Sequence, residues 1–424
     1  MKARRSATVI LTVALTVAAI VAGAVPAAAA NKGGAPSASF TRLDLSKGTP
    51  GSGTIYGTGG LTLSTSLTSG AYVDPFATGG PRTIAYHSGT WVSDAVKSPF
   101  GFDELVASWN ATTPDGTWIK IEMQATGTGR ATKAYVLGIW ASGDGTIHRT
   151  SVPAQGDANG FVAIDTFIRS KKAAPLDTYQ LLVTLYRADT AGSASPTVRF
   201  LGAMTSAASN FATPSASTGV VRELSVPSLS QELHAGHFPE YDNGGEAWCS
   251  PTSTAMILGS WGTGPTATQL AVFPGAAHGD GQVDYAARYV YDWNYQGAGN
   301  WPYNTAYAAT FPEMNGFVTR LRSLAEAERF IDAGIPLVAS INGNLPGFLF
   351  KKTHGHLLVI TGFTPAGDVI TNDPAVLANA NVRKVYGRAD FEDVWLGGSA
   401  GIVYVIYRNG TALPPNVLNL PPNW

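Results

Sequence analysis

The sequence predicts two domains, an all-β sandwich of the jelly-roll type followed by an α+β domain. Residues 53–203 contain several short strand patterns separated by turn clusters and no convincing helix, whereas residues 221–424 place helical segments first and apolar, strand-like runs after them. The composition agrees with this prediction. A chain of 424 residues with 48 glycines, 26 prolines and 10% aromatic residues, without a collagen-like repeat, is typical of a turn-rich globular protein.

The first 30 residues have the pattern of a secretory signal peptide. Three basic residues lie within the first five positions, an apolar run covers about residues 7–25, and alanines fill positions 28–30. We therefore predict cleavage after Ala30 and a secreted, extracellular protein, with a retained membrane anchor as the alternative. Asn31 stands where a lipoprotein needs a cysteine, which excludes a lipoprotein.

The charge of the chain argues against strongly electrostatic partners. Its formal charge is −1 at pH 7, and only 13% of its residues are charged, against roughly 25% in a typical protein. Signal cleavage removes three basic residues and no acidic ones, which takes the charge to −4. We therefore expect no nucleic-acid partner, and no membrane partner after cleavage.

The segment from 31 to 203 divides into a leader and the predicted sandwich. Residues 31–52 are small, polar and without periodicity, which predicts a flexible leader. Residues 53–203 form the sandwich domain, in which apolar and polar side chains alternate over 118–125, the period of a strand buried on one face. Further strands are predicted over 135–140, 161–168, 179–187 and 197–201.

The remaining chain is predicted to form a linker and the α+β domain. Residues 204–220 are rich in serine, alanine and threonine and predict a linker, and residues 221–424 form the second domain. Its helices are predicted over 253–260, 266–272, 284–293, 323–333 and 388–396, and its strands over 336–341, 356–361, 369–371 and 402–407. Ser323 with Glu326 three residues later is a capping-box pattern at the start of one helix.

Cys249 is the single cysteine of the sequence. It cannot form an intramolecular disulfide, so it is inert, intermolecular or chemically used. It lies in the run Trp-Cys-Ser-Pro-Thr-Ser, directly before an apolar segment that predicts a helix. A helix N-terminus carries partial positive charge and free amide protons, which favour a thiolate. We therefore interpret Cys249 as a nucleophile, with a buried structural thiol as the alternative.

A thiolate nucleophile needs an imidazole that pairs with it and protonates the leaving group. His356 directly precedes an apolar run and is predicted to start a strand, whose sheet would fix its backbone. His354 is the competing base, and we favour His356 because it adjoins the apolar run. The alternative is that both histidines face solvent at the start of the strand.

Two further residues complete the predicted site. Asp373 follows the next predicted strand, and if the two strands pair as neighbours it lies beside His356. Gln231, 18 residues before Cys249, is a side-chain amide that could donate to an oxyanion. An ordinary turn acid and a surface glutamine are the respective alternatives.

At these residues the sequence resembles the papain-like cysteine peptidases, and within them the bacteriocin-processing or double-glycine leader peptidases, family C-39, in a secreted stand-alone form. The resemblance rests on the order Gln, Trp-Cys-Ser-Pro-Thr-Ser, Gly-His before an apolar strand, and Asn-Asp-Pro, and it covers roughly residues 221–408. It implies that Cys249 is the nucleophile, His356 the base, Asp373 the residue that orients the base and Gln231 the oxyanion donor. It implies no cofactor.

The sequence departs from that group between Gln231 and Cys249. In the family the glutamine lies only a few residues before the cysteine, whereas here a segment with His234 and His237 intervenes. We do not carry over the leader-peptide substrate of the transporter-linked members, because no transporter segment accompanies this region in the sequence.

Two other constellations bear on metals and glycans. His234 and His237 could supply two metal ligands, but no third ligand is recognisable nearby and zinc sites need three or four, so we predict no metal site. Four tryptophans of the N-terminal domain could form a platform for a cell-surface glycan, and the alternative is that they belong to the core. These tryptophans are Trp91, Trp109, Trp118 and Trp140.

The sequence therefore predicts a secreted cysteine peptidase or amide hydrolase that acts on a peptide or protein substrate through a thioester acyl-enzyme. Two alternatives stay open. One is a transglutaminase-like acyl transferase that uses the same three residues, and the other is an inactive surface-binding or carbohydrate-binding protein on a peptidase fold.

Overall fold

The structure is a computed structural model that describes residues 37–207, 214–273, 279–349 and 352–424. The predicted signal peptide, residues 1–30, lies outside the described residues. Among the residues that are described, no helix has both the length and the apolar character needed to cross a bilayer.

Residues 37–207 form two antiparallel sheets. Their strands are β1 (Ser37–Arg42), β2 (Thr49–Pro50), β3 (Thr54–Gly57), β4 (Gly60–Leu63), β5 (Thr68–Asp74), β6 (Arg82–Val92), β7 (Val96–Phe102), β8 (Glu104–Thr112), β9 (Thr117–Gly127), β10 (Arg130–Ala131), β11 (Tyr135–Trp140), β12 (Gly160–Ala163), β13 (Thr166–Arg169), β14 (Leu176–Ala188) and β15 (Thr197–Ala207). One sheet has the order β12-β13-β8-β15-β4-β3, with β1 also on β15, and the other has the order β10-β9-β14-β6-β2, with β11, β5 and β7 beside it. The apolar residues of β9 face a core that both sheets share.

The predicted flexible leader is wrong for part of its length. Residues 31–36 lie outside the described chain, but β1 pairs with β15 from Ser37↔Ala207 to Arg42↔Gly202. Ala38 and Phe40 are buried there. The segment has no period of its own, and pairing with a strand 160 residues away in the sequence, together with burial of the Phe40 ring, orders it.

Residues 214–424 form one antiparallel sheet with helices packed against it. The helices are α1 (Cys249–Ser260), α2 (Ala267–Leu270), α3 (Gln282–Val290), α4 (Trp301–Ala308), α5 (Leu324–Asp332) and α6 (Arg388–Glu392). The strands are β16 (Arg222–Glu223), β17 (Met314–Arg320), β18 (Leu337–Asn344), β19 (Lys352–Phe363), β20 (Val369–Asn372), β21 (Arg383–Tyr386) and β22 (Ile402–Arg408). The sheet order is β17-β22-β18-β19-β20-β21, with β16 on β19.

Helix α4 joins the two regions. Its N-cap is Asn300, whose side chain accepts a hydrogen bond from the backbone of Tyr303. The Tyr303 ring lies 6.0 Å from Trp109 and 5.2 Å from Trp140, both in the N-terminal sheets. The region that follows the N-terminal sheets is therefore packed directly on them.

A buried asparagine adds polar contacts to the same interface. Asn110 of β8 donates from its side chain to the Gly316 carbonyl at 2.7 Å and accepts from the Gly316 amide at 3.3 Å. Asn110 is fully buried, so both contacts are shielded from water and the amide has no nearby solvent to replace them.

The four tryptophans considered as a glycan platform are buried. Trp91, Trp109, Trp118 and Trp140 are each 2% exposed or less. Their indole faces pack in the interior and are not available to stack on a sugar.

The predicted linker, residues 204–220, is attached at both described ends. Its first residues continue β15 to Ala207. Beyond the undescribed residues 208–213, the Ser215 amide donates to the buried Glu392 at 2.6 Å and the Thr218 amide donates to the buried Glu328 at 2.7 Å. The described part of this segment is therefore held by buried carboxylates and is not a free tether.

The C-terminal tail returns to the first strand. The Phe40 amide donates to the Pro422 carbonyl at 2.8 Å. The Arg322 guanidinium donates to the Ala38 carbonyl at 2.7 Å and to the side chain of the buried Asn423 at 2.8 Å. We call this set of contacts the tail clasp. It joins both ends of the described chain through one arginine.

Candidate active site

Cys249 is the first residue of α1. The helix has no side-chain N-cap, so its first amides remain as donors at the end where the thiol lies. Ser253, one turn along, donates from its hydroxyl to the Leu357 carbonyl of β19 at 3.1 Å. This hydrogen bond fixes the start of α1 against the strand that carries the predicted base.

His356 lies inside β19, which begins four residues earlier, at Lys352. Its side chain is buried, with Nε2 at 2.8 Å from Asp373 Oδ1, and the Cys249 thiol interacts with the same imidazole. Since Nε2 is directed to the carboxylate, Nδ1 is the nitrogen left for the thiol. Burial by itself lowers the pKa of His356, but the Asp373 charge and, after it, the Cys249 thiol raise that pKa to about 10.

Asp373 directly follows β20 and accepts three hydrogen bonds. Besides His356 on Oδ1, it accepts from the Ala375 amide at 3.0 Å on the same oxygen and from the Tyr386 hydroxyl at 2.7 Å on Oδ2. Burial raises the pKa of Asp373, but His356 and these donors hold it below its usual range. A carboxylate with donors on both oxygens stays ionised and keeps a fixed orientation.

The two histidines of the sequence prediction differ in their surroundings. His354 is exposed on β19, whereas His356 is buried between Asp373 and Cys249. Alternate residues of a strand share one face, but the burial of His356 and its contact with Asp373 single out one of the two.

Gln231 lies at the site despite its distance in sequence from Cys249. It is buried, its side-chain amide donates to the Glu246 carbonyl at 2.7 Å, and it lines the same cavity as Cys249. An amide nitrogen carries two protons, and the contact with Glu246 uses one of them.

The site opens into a cavity of about 470 Å³. Cys249, His356, His354 and Gln231 line one side of it, and Glu104 and Asp165 of the N-terminal region line another. The Trp301 amide donates to Asp165 at 2.7 Å, and burial raises the pKa of Asp165 to about 7. Both regions of the chain therefore form the walls of the cleft.

A second cluster of titratable side chains lies in the segment between Gln231 and Cys249. Asp284 of α3 accepts from His234 Nδ1 at 3.0 Å and from His237 Nδ1 at 2.9 Å through one oxygen. His234 Nε2 lies 3.5 Å from Asp280. Burial by itself lowers the pKa of His234, and the contacts with Asp280 and Asp284 raise it to about 9.

Sequence reasoning missed several of these residues. It recognised no third ligand beside His234 and His237, because Asp284 lies 47 residues beyond His237 and no local spacing marks it. Tyr386 had no signal either, since β21 is short and polar. Helix α4 did have a signal that went unused, namely Asn300 as a cap with Pro302 in the first turn.

Comparisons with known proteins give two family matches. Residues 38–206 match the Peptidase C39 N-terminal domain, and residues 223–400 match the Peptidase_C39 like family. No curated protein matches the chain. Among solved structures, that of a candidate C39-like peptidase from Bacillus anthracis is 16% identical, covers 45% of this chain and 98% of its own, and has a TM-score of 0.28.

Proposed function

Because the chain belongs to the C39-like peptidase family, we propose that it is a secreted cysteine peptidase in which Cys249, His356 and Asp373 perform the chemistry. The observation that carries the proposal is one buried imidazole that hydrogen-bonds a buried carboxylate through Nε2 and interacts with the thiol of Cys249. In the same proposal, the C39-like region is a papain-like α+β domain and the two N-terminal sheets are a β-sandwich.

The chemistry begins with the thiolate of Cys249 paired with the imidazolium of His356. The sulfur attacks the substrate carbonyl, and His356 transfers its proton to the leaving amine as the C–N bond breaks. The acyl group is then held as a thioester on Cys249. The neutral imidazole takes a proton from water as the water oxygen attacks the thioester carbonyl. The C–S bond then breaks, which releases the carboxylic acid and restores the Cys249 thiolate beside the His356 imidazolium.

Asp373 acts through His356. Its charge favours the imidazolium, and its hydrogen bond to Nε2 turns Nδ1 toward the sulfur. Tyr386 and the Ala375 amide hold the carboxylate in this orientation from the other side.

The oxyanion that develops during attack needs hydrogen-bond donors at the N-terminal end of α1. Pro251 has no N–H and the Thr252 amide donates to the Trp248 carbonyl, so the first-turn amides left as donors are those of Cys249 and Ser250. We propose the Gln231 side chain as the second donor beside the Cys249 amide. The second amide proton of Gln231 is the one that would serve this role, because the first is bound to Glu246.

The shape of the cleft favours a peptide or protein substrate. A cavity of about 470 Å³ that continues between the two regions can hold several residues of an extended chain.

Cys249→Ala tests the proposal directly. The mature protein and this variant are incubated with a set of fluorogenic peptides, and cleavage is followed by fluorescence and mass spectrometry. We expect cleavage only by the unmodified protein, with both proteins equally folded by circular dichroism. Equal cleavage by the two proteins would falsify the proposal.

A second arm of the same experiment separates hydrolysis from acyl transfer. A primary amine is added in excess, and products are analysed by mass. A hydrolase gives the free carboxylate as the main product, whereas a transglutaminase-like enzyme gives the amide of the added amine.

A further inference from the structure

We propose that His234, His237 and Asp284 bind a divalent metal ion of the zinc type, and that Asp280 orients His234 from the opposite side. The proposal does not depend on peptidase activity. It concerns the segment from Gln231 to Trp248, which separates the proposed oxyanion donor from the proposed nucleophile.

Three donor atoms converge on one point. The Nδ1 atoms of His234 and His237 lie 3.0 and 2.9 Å from the same Asp284 oxygen, and the three donor atoms all lie within 4.8 Å of one another. Two ligands of a tetrahedral zinc ion lie about 3.3 Å apart, given bonds of 2.0–2.1 Å. Both nitrogen–oxygen separations are therefore within a few tenths of an ångström of the value that a shared ion requires.

The other nitrogen of His234 supplies an independent observation. His234 is completely buried, and its Nε2 forms no hydrogen bond within the described part of the chain but lies 3.5 Å from Asp280. Zinc-bound histidines almost always direct their second ring nitrogen to a carboxylate, which fixes the tautomer and the ring orientation. An imidazole with one nitrogen in a ligand cluster and the other facing a carboxylate has this arrangement.

Charge also favours a dication. Asp280 and Asp284 are both buried, 1% and 0% exposed, and each lies within 3.5 Å of a histidine nitrogen. Two buried carboxylates are costly without compensating positive charge. A divalent ion bound with neutral imidazoles would balance both charges.

The donor set selects the class of metal. Two imidazoles and one carboxylate suit zinc and neighbouring transition metals, whereas magnesium and calcium prefer sites made of oxygen alone. His237 keeps 19% of its side chain exposed, which gives the ion a route from solvent. Three protein ligands leave a fourth position for water.

The position of the cluster indicates a structural role. Its histidines belong to the segment 231–248 and its aspartates to the start of α3, and none of the four lines the cavity at Cys249. The His234 ring is 6.3 Å from the buried Trp248, the residue before Cys249. A bound ion would pin this segment to α3 and so hold the residues on either side of it.

The test uses the mature chain with Cys249→Ala, because a thiol paired with an imidazole can itself bind zinc. The protein is stripped with a chelator and titrated with Zn²⁺ by calorimetry, and Co²⁺ is added separately to record the absorption of a tetrahedral site. We expect one equivalent of Zn²⁺, a tetrahedral Co²⁺ spectrum and a higher thermal midpoint with metal. Absence of stoichiometric binding overturns the proposal.

Variants assign the site. His237→Ala, at the partly exposed ligand, is expected to lose the equivalent of Zn²⁺, and Asp280→Asn is expected to weaken binding by about 10- to 100-fold. The matched control is His87→Ala, which removes an exposed histidine 3.4 Å from a carboxylate of Asp189 and should bind as before. Unchanged binding in His237→Ala overturns the assignment, and if that variant does not fold, Asp280→Asn decides the question by the same criterion.

Discussion

Two buried histidines of this protein have similar surroundings but different proposed roles. His356 and His234 are both buried and both contact carboxylates, whose charge outweighs the lowering effect of burial and raises the pKa of each, to about 10 and about 9. They differ in what the second ring nitrogen faces. The second ring nitrogen of His356 is on the side of the Cys249 thiol, at the wall of a cavity. In His234 both ring nitrogens face carboxylates, Nδ1 that of Asp284 and Nε2 that of Asp280.

Under the proposed function, a perturbed pKa and burial do not by themselves mark a catalytic histidine. A general base must reach a proton of the nucleophile or the substrate, so the atom across its free nitrogen and the access to the cavity decide its role. His234 faces neither a nucleophile nor the cavity, so its position favours a structural role. The predictions below test the separation of these roles, from the largest expected effect to the smallest.

The largest effect is expected from His356→Ala. Without the imidazole the thiolate loses its partner and the leaving amine its proton donor, so kcat/KM should fall by at least about 10⁴-fold. Labelling of Cys249 by iodoacetamide at mildly acidic pH should be lost as well. In His237→Ala that labelling should persist. Loss of labelling in this variant would show that the histidine cluster at Asp284 contributes to the reactivity of Cys249.

Asp373→Asn should reduce kcat by about 10²- to 10⁴-fold, because the neutral amide neither favours the imidazolium nor fixes its tautomer. The carboxylate raises the pKa of His356 to about 10. Removing it lowers that pKa, so the alkaline limb of the pH profile of kcat/KM should move to lower pH. A profile with an unchanged alkaline limb would show that Asp373 has no electrostatic part in the chemistry.

Gln231→Ala should reduce kcat by about 10²- to 10³-fold with little change in KM, the effect of losing one donor to an oxyanion. Steady-state kinetics on the best peptide substrate measure it. A rise in KM at constant kcat would instead assign Gln231 to substrate binding in the ground state.

The smallest effect is expected from Asn110→Ala, at the contact between the N-terminal sheets and β17. It removes two buried hydrogen bonds between the regions and leaves the Gly316 groups without their partner, which should lower the free energy of unfolding by about 1–3 kcal/mol. Denaturant unfolding measures the loss. Activity under native conditions should change by less than in any variant above.

Sequence reasoning reached the parts of the site that local pattern controls. The position of Cys249 at the start of a helix and of Asp373 after a strand followed from the apolar runs beside them, and α1 and β20 lie at those runs. The expected neighbourhood of His356 and Asp373 depended only on the pairing of two consecutive strands, and β19 and β20 pair in the structure.

What the sequence could not supply are contacts between distant segments. Asp284 contacts His237 across 47 residues of sequence, and Tyr386 reaches Asp373 from the short strand β21. Ser37–Arg42 is ordered by its pairing with the distant strand β15. In each case the residue type is ordinary and the partner is chosen by packing. No periodicity or spacing within one segment carries that information.

The tail clasp has a consequence for how this protein would respond to being cut. Arg322 holds Ala38 at one end of the described chain and Asn423 at the other, and Phe40 holds Pro422 beside it. A break in the backbone between the N-terminal and C-terminal regions would leave these contacts, and those of Tyr303 and Asn110, in place. The product would be two fragments that stay assembled, so a nicked protein would keep its shape and run as two bands only after denaturation.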